Sequence, residues 1–198
     1  MSKFGSLWRK SRALEFSLLE NKKEFSRGKK RSTPPGIHGN KRKRKSTYAL
    51  QNNEKQKIRF LYGMREKQLY NLFENLKKVK GNIGDNLLIF CESRLDNVIF
   101  RSGLTGTRRL ARQMVSHGHF LLDGKNVKSP SMILKQGQVI TFRKKEMVNN
   151  NLIKESLESN RPTPSFISLD RNNNSVTFLR KPNGDELNRE INVPLAVE

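Results

Sequence analysis

The chain is poor in several things that would otherwise direct its reading. It has one cysteine in 198 residues, Cys91, which excludes an internal disulfide and fits a reducing compartment. Cys91 sits in an apolar helical run, where a buried structural thiol is expected. Beside it stand only three histidines, and the four residues show no metal-ligand spacing, so no metal site is expected. No apolar run approaches the roughly 18 residues of a membrane span, and no membrane partner is expected. The basic N-terminus is not followed by an apolar stretch with a cleavage site, which argues against secretion. Carboxylates are scarce and scattered, and no two stand out as an acid–base couple. The segment GLTGT at 103–107 lacks the lysine and spacing of a nucleotide-binding loop. No Ser or Cys nucleophile arrangement surrounds His117 or His119. The chain therefore reads as a non-enzyme that needs no cofactor.

What is abundant is positive charge. Forty Lys and Arg face 18 Asp and Glu, a formal net charge of +22. Such an excess points to a polyanionic partner. Residues 1–45 hold 15 basic and 3 acidic residues, and residues 91–150 hold 11 and 4. The last 48 residues hold 6 and 7, so contact is expected first at the N-terminus and second in the middle. At 34% hydrophobic residues the chain can build small cores only.

The most informative stretch is 93–127, SRLDNVIFRSGLTGTRRLARQMVSHGHFLLDGKNV. It reads as a helix, a turn, a basic helix and a tight hairpin. Leu110, Ala111, Met114 and Val115 form an apolar stripe at helical spacing. Arg108 and Arg112, at i and i+4, share a face and can reach neighbouring phosphates together. Gly118 stands where a helix ends in a left-handed cap. Asp123-Gly124 supplies a two-residue hairpin turn.

Upstream, a short helix is expected around Leu14–Leu19, with Trp8 as an anchor. Pro34-Pro35-Gly36 then favours an extended or turning backbone. The five consecutive cations at 41–45 read as a disordered tail, a nuclear-localisation run or a segment that orders on RNA. Helical periodicity runs from Asn52 to Val79, with Gly63 ending one helix and another beginning near Arg65. A further helix is expected from Asp85 to Ser102. Strands are expected at Met132–Leu134, Val139–Phe142, Phe166–Leu169 and Val176–Leu179, and a short helix at Leu152–Ser159. The tail Ile191–Val197 reads as extended. The fold class is α+β, with an all-helical part ahead of a mixed part.

Several segments resemble, in order and spacing, the bacterial and organellar small-subunit ribosomal protein number four family. They are TPPGIHGNKRKRKSTYALQNNEKQKIRFLYGMREKQL, GNIGDNLL, ESRLDNVIFRSG, ARQMVSHGHFLLDGKNV, the PS of SPSMILKQGQVI, and EINVPLAVE. The similarity spans about residue 33 to 198, with a looser match at WRKSRAL. Many members carry a four-cysteine zinc site near the N-terminus, and this chain resembles the zinc-free branch. Its first 45 residues are then expected to depend on RNA for order. Members also run a few aromatic and basic residues past the equivalent of Val197-Glu198, so a truncated or disordered C-terminus is one expectation.

The resemblance implies a basic N-terminal extension (1–45) and a helical domain (46–90, closed by 183–198). It also implies an inserted mixed α/β RNA-binding domain (91–182) built as a helix-turn-helix followed by β-hairpins. It implies binding to the 5′ domain of small-subunit ribosomal RNA early in assembly, on a cytoplasmic or organellar ribosome. Neighbours would be ribosomal proteins five and three and messenger RNA near the channel through which it enters, with an influence on translational accuracy. DNA is not an expected partner.

RNA of this kind presents phosphates and shape while its deep major groove hides the bases. Arginine forks and lysine point charges are therefore the expected contacts. The first contact region is expected at His38, Lys41, Arg42, Lys43, Arg44, Lys45, Tyr48, Lys55, Lys57, Arg59, Tyr62 and Arg65. Tyr48 and Tyr62 could stack on a base, although core packing is an equal alternative for Tyr62. The second region is expected at Arg101, Arg108, Arg109, Arg112, His117, His119, Lys125 and Asn126. Arg94 and Asp96 read either as RNA-facing groups or as an internal pair. Two rival readings remain: an RNA-modifying enzyme or synthetase using the same module as an appendage, and a helix-turn-helix DNA binder. The first would need a catalytic domain where the chain has a basic tail and a small helical part.

Overall fold

The computed structural model describes residues 5–20, 25, 33–39, 44–144, 146–147, 150–159, 161–188 and 190–197. Of the expected contact residues, Lys41, Arg42 and Lys43 lie outside the described residues. The chain divides into two compact units, 1–84 with 188–198, and 85–187. The fold class is α+β.

The first unit holds α1 (Leu7–Leu14), α2 (Thr47–Leu61) and α3 (Glu66–Leu76). The first helix comes earlier than the expected Leu14–Leu19. Glu15 takes φ +54 and ends it, and buried Ser11 holds the following turn, its carbonyl accepting from the Phe16 N–H and its hydroxyl from the Leu18 N–H. The Ser46 hydroxyl caps α2 by accepting from the Ala49 N–H at 3.3 Å, and Gly63 at φ +62 lets the chain leave it. Leu69, Leu72 and Leu76 bury one face of α3 at helical spacing, as their periodicity requires.

The tail is a correction. It forms a helix, α8 (Val193–Val197), rather than an extended segment, and it packs along α2. Pro194 falls in the first turn, where a missing N–H costs no hydrogen bond. The Glu54 carboxylate accepts from the Asn192 N–H at 3.0 Å, and the Asn192 side chain accepts from the Leu195 N–H at 3.4 Å. Gly84 permits a close approach, since a Cβ there would stand 2.8 Å from Val193 Cγ1.

Helix α4 (Ile83–Glu92) leads into the second unit, followed by α5 (Leu95–Arg101) and α6 (Arg108–Ser116). The single helix expected from Asp85 to Ser102 is thus two. Arg94 is extended and bridges Ile133; the Leu95 N–H bonds the Met132 carbonyl at 2.9 Å and the Leu134 N–H bonds the Ser93 carbonyl at 3.0 Å. That bridge is all the pairing of the strand expected at Met132–Leu134; backbone bonds from the loop break the helix instead.

An antiparallel sheet completes the unit: β1 (Phe120–Leu122), β2 (Lys125–Asn126), β3 (Val139–Phe142), β4 (Ile167–Asp170) and β5 (Ser175–Phe178), in the order β2-β1-β3-β5-β4. Phe120 pairs with Phe142, Ile140 with Val176, and Ile167 with Phe178. These residues join Val98, Ile99, Leu104, Ala111 and Val115 in one core, with Ile153 of α7 (Asn151–Glu158). Cys91 is fully buried, and burial pushes its thiol up to about 12, so it stays protonated and inert.

Candidate nucleic-acid interface

The second unit places the expected contact cations on α5, α6 and the first hairpin. The Thr107 hydroxyl caps α6 by accepting from the Leu110 N–H at 3.2 Å. Ala111, Met114 and Val115 bury the inner stripe, with Leu110 half-buried. At the other end Gly118 has φ +73; its N–H bonds the Val115 carbonyl and the His119 N–H bonds the Met114 carbonyl, the two bonds of a Schellman ending. Asp123 (φ +48) and Gly124 (φ +77) form the turn between β1 and β2, with both central residues left-handed as a type I′ turn needs. The Asp123 carboxylate accepts from the Val139 N–H and the Gln138 amide, each at 2.9 Å. These bonds, the Val139 one foremost, hold its pKa below the ordinary carboxylate value.

Within this frame the expected cations divide. Arg109, His117, Lys125 and Asn126 are exposed and His119 is half-buried, its ring centroid 6.0 Å from that of His117. Arg101, Arg108 and Arg112 are anchored from below. The Nε and one terminal nitrogen of Arg101 bond Glu92 at 3.1 and 3.0 Å. The Arg108 Nε donates to Asn97 Oδ1 at 2.8 Å, and its guanidinium lies 4.3 Å from the Phe100 ring centroid. Arg112 stands 3.5 Å from Asp96. Arg94 and Asp96 form an internal pair, bidentate at 2.7 and 3.0 Å and nearly buried, the second of their two expected readings. Arg161 covers the opposite side of Phe100 at 4.5 Å and bonds the Gly106 carbonyl.

In the first unit Tyr48 is 76% exposed, and His38, Arg44, Lys45 and Arg65 are exposed. Lys45 lies 3.6 Å from Glu15. Three of the expected cations are already paired: Lys55 and Arg59 with Glu66 at 2.7 and 3.4 Å, and Lys57 with Glu54 at 2.6 Å. The hydrogen bond from Lys55 leads the causes that lower the pKa of Glu66. The two pairs to Glu66 are exposed enough to contribute only about 0.2–1 kcal/mol each, so an incoming phosphate can displace that carboxylate, whereas the Lys57–Glu54 pair is more enclosed. Tyr62 is 3% exposed, which favours core packing over stacking and corrects its place among the contacts.

Sequence reasoning missed Glu92, Asn97, Phe100 and Arg161. One signal was present: Glu92 and Asp96 are the only carboxylates between Cys91 and Leu122, a stretch holding Arg94, Arg101, Arg108, Arg109 and Arg112. Among the described residues no three His, Cys, Asp or Glu side chains cluster as metal ligands, and no helix is long and apolar enough to cross a membrane.

A helical unit and a basic unit in which an arginine-bearing helix leads into a tight hairpin define a class of RNA-binding module, and comparison with known proteins narrows it. Residues 3–92 match the family described as "Ribosomal protein S4/S9 N-terminal domain", and residues 93–140 match "S4 domain". Proteins named "Small ribosomal subunit protein uS4" are similar along the whole chain. The one from Mesoplasma florum is 48% identical, covering 100% of this chain and 97% of its own length. Those of Mycoplasma capricolum and Staphylococcus epidermidis are 45% and 48% identical, covering 100% of this chain and 96% and 98% of their own. The chain belongs to the uS4 family of small ribosomal subunit proteins. It is a ribosomal structural constituent carrying an S4 RNA-binding domain, and not an enzyme; in bacteria such proteins sit on the cytoplasmic ribosome.

Proposed function

We propose that the chain binds the 5′ domain of small-subunit ribosomal RNA at a junction of helices, early in subunit assembly, mainly through backbone phosphates. The observation that carries this reading is the placement of charge. The net charge of +22 is concentrated in residues 1–45 and 91–150, while the carboxylate-rich tail is spent on the fold, Glu186 on Arg180. Arg44, Lys45, Tyr48 and Arg65 would make one contact region, with Lys55, Lys57 and Arg59 released from their carboxylates as phosphates arrive. Arg101, Arg108, Arg109, Arg112, His117, His119, Lys125 and Asn126 would make the second. The extension 1–45, the helical domain 46–90 closed by 183–198, and the inserted domain 91–182 then act as clamp, platform and second clamp. The same reading places the chain beside ribosomal proteins five and three and near incoming messenger RNA, with an effect on decoding accuracy.

Salt titration of binding to a 5′-domain transcript is the test. A protein neutralising six to ten phosphates loses about 10³–10⁵ in affinity between 50 and 200 mM salt. A nearly flat dependence, or equal binding to duplex DNA in competition, would contradict the proposal.

A further inference from the structure

Simple charge counting says that Glu92 and Asp96 weaken any grip on RNA, since each cancels a cation. Their geometry points the other way. Glu92 is 1% exposed, and its carboxylate accepts from two nitrogens along one edge of the Arg101 guanidinium and from the Asn97 amide at 2.6 Å. That same amide donates to the Glu92 carbonyl at 3.1 Å, so Asn97 is fixed at both its own ends: its nitrogen is held by Glu92 and its oxygen receives the Arg108 Nε. Asp96, locked in place by Arg94, stands 3.5 Å from the Arg112 guanidinium as its ion-pair partner. The Phe100 ring supports Arg108 from beneath. Buried carboxylates therefore hold Arg101 directly, Arg108 through one buried amide and Arg112 by an ion pair, and the outer parts of all three reach the surface of α5 and α6.

Such a network is a weak source of stability. Removing two charges from water offsets most of their attraction, and apolar residues of similar volume often serve a fold as well. What it supplies is stiffness. A bond to one nitrogen of a planar guanidinium, joined by a second bond at Arg101 or by the Phe100 ring at Arg108, sets the plane in which its remaining donors lie. Ordering a long side chain on binding opposes affinity, and anchoring it beforehand removes that opposition.

We propose that Glu92, Asn97 and Asp96 are positioning residues for RNA binding, holding Arg101 and Arg108 in fixed planes and tethering Arg112 beside them to meet backbone phosphates. The inference rests on the function proposed above, and its test separates the two. The full chain and its variants are titrated with a 5′-domain ribosomal RNA transcript over a range of salt, with thermal unfolding followed in parallel. Glu92→Gln raises the net charge by one, so electrostatics alone predicts equal or tighter binding. Positioning predicts the opposite sign: affinity falls several-fold, and the salt slope becomes shallower by about 1 for each arginine released. Arg108→Lys is the second variant. It keeps the charge at a half-buried site, so it decides the matter even if Glu92→Gln fails to fold. It is expected to lose as much affinity as Arg108→Gln. Folded variants that bind as tightly as the parent, or tighter, would overturn the positioning role. A parent chain showing no salt-dependent RNA binding would overturn the proposed function itself.

Discussion

At the scale of single residues, arginine 108 illustrates how much a spacing rule can and cannot say. Its place at i, with Arg112 at i+4, correctly put both on one side of a helix. That the same two side chains are tied inward, to Asn97 and Asp96, follows from α5 packing against α6 and leaves no local trace in sequence. Tyr62 shows a second limit. An aromatic at helical spacing suits a core and a stacking platform equally, and only burial separates them. Gly118 was legible because a helix that stops short of a hairpin needs a left-handed residue, and the structure assigns it φ +73 with a Cβ position 3.2 Å from Asn126 Oδ1. Gly118→Ala is therefore expected to destabilise the chain by about 1–2 kcal/mol through left-handed strain alone. Chemical denaturation measures this; an unchanged midpoint would show that the ending of α6 tolerates a side chain.

Elements follow the same division between what is local and what is not. The hairpin at Asp123-Gly124 and the paired strands β4 and β5 were legible, because turn chemistry and alternation are written within a few residues. The break between α4 and α5 was not, since it is imposed by residues 130–134, far along the chain. Nor was α8, five residues long, whose start depends on Glu54 138 positions away. Another long-range device lies beyond β5. Glu186, in a short 3-10 turn (Gly184–Glu186), accepts from both terminal nitrogens of Arg180 at 2.8 Å, from the Asn183 N–H at 2.8 Å and from the Ser165 hydroxyl. The bonds from Arg180 above all hold its pKa to about 2, against an ordinary 4.5. Because the folded value is the lower one, the stabilisation is fully present above about pH 4.5 and is lost as pH falls toward 2. Thermal midpoints measured from pH 5 to pH 2 should fall less steeply in Glu186→Gln than in the parent chain. Parallel curves would mean that this clasp does not couple to folding.

The molecule as a whole is two compact units, each with its own buried residues and its own share of cations. The identity of 45–48% with uS4 proteins over the entire chain makes the family assignment independent of any single contact. The contacts themselves are a matter of where charge meets RNA, and zero-length crosslinking inside isolated small ribosomal subunits, read out residue by residue, measures that most directly. The account predicts that the chain is present in the subunits and that its crosslinks to small-subunit ribosomal RNA gather in residues 38–65 and 101–126. Absence from the subunits, or crosslinks confined to the carboxylate-rich segment 151–197, would contradict it.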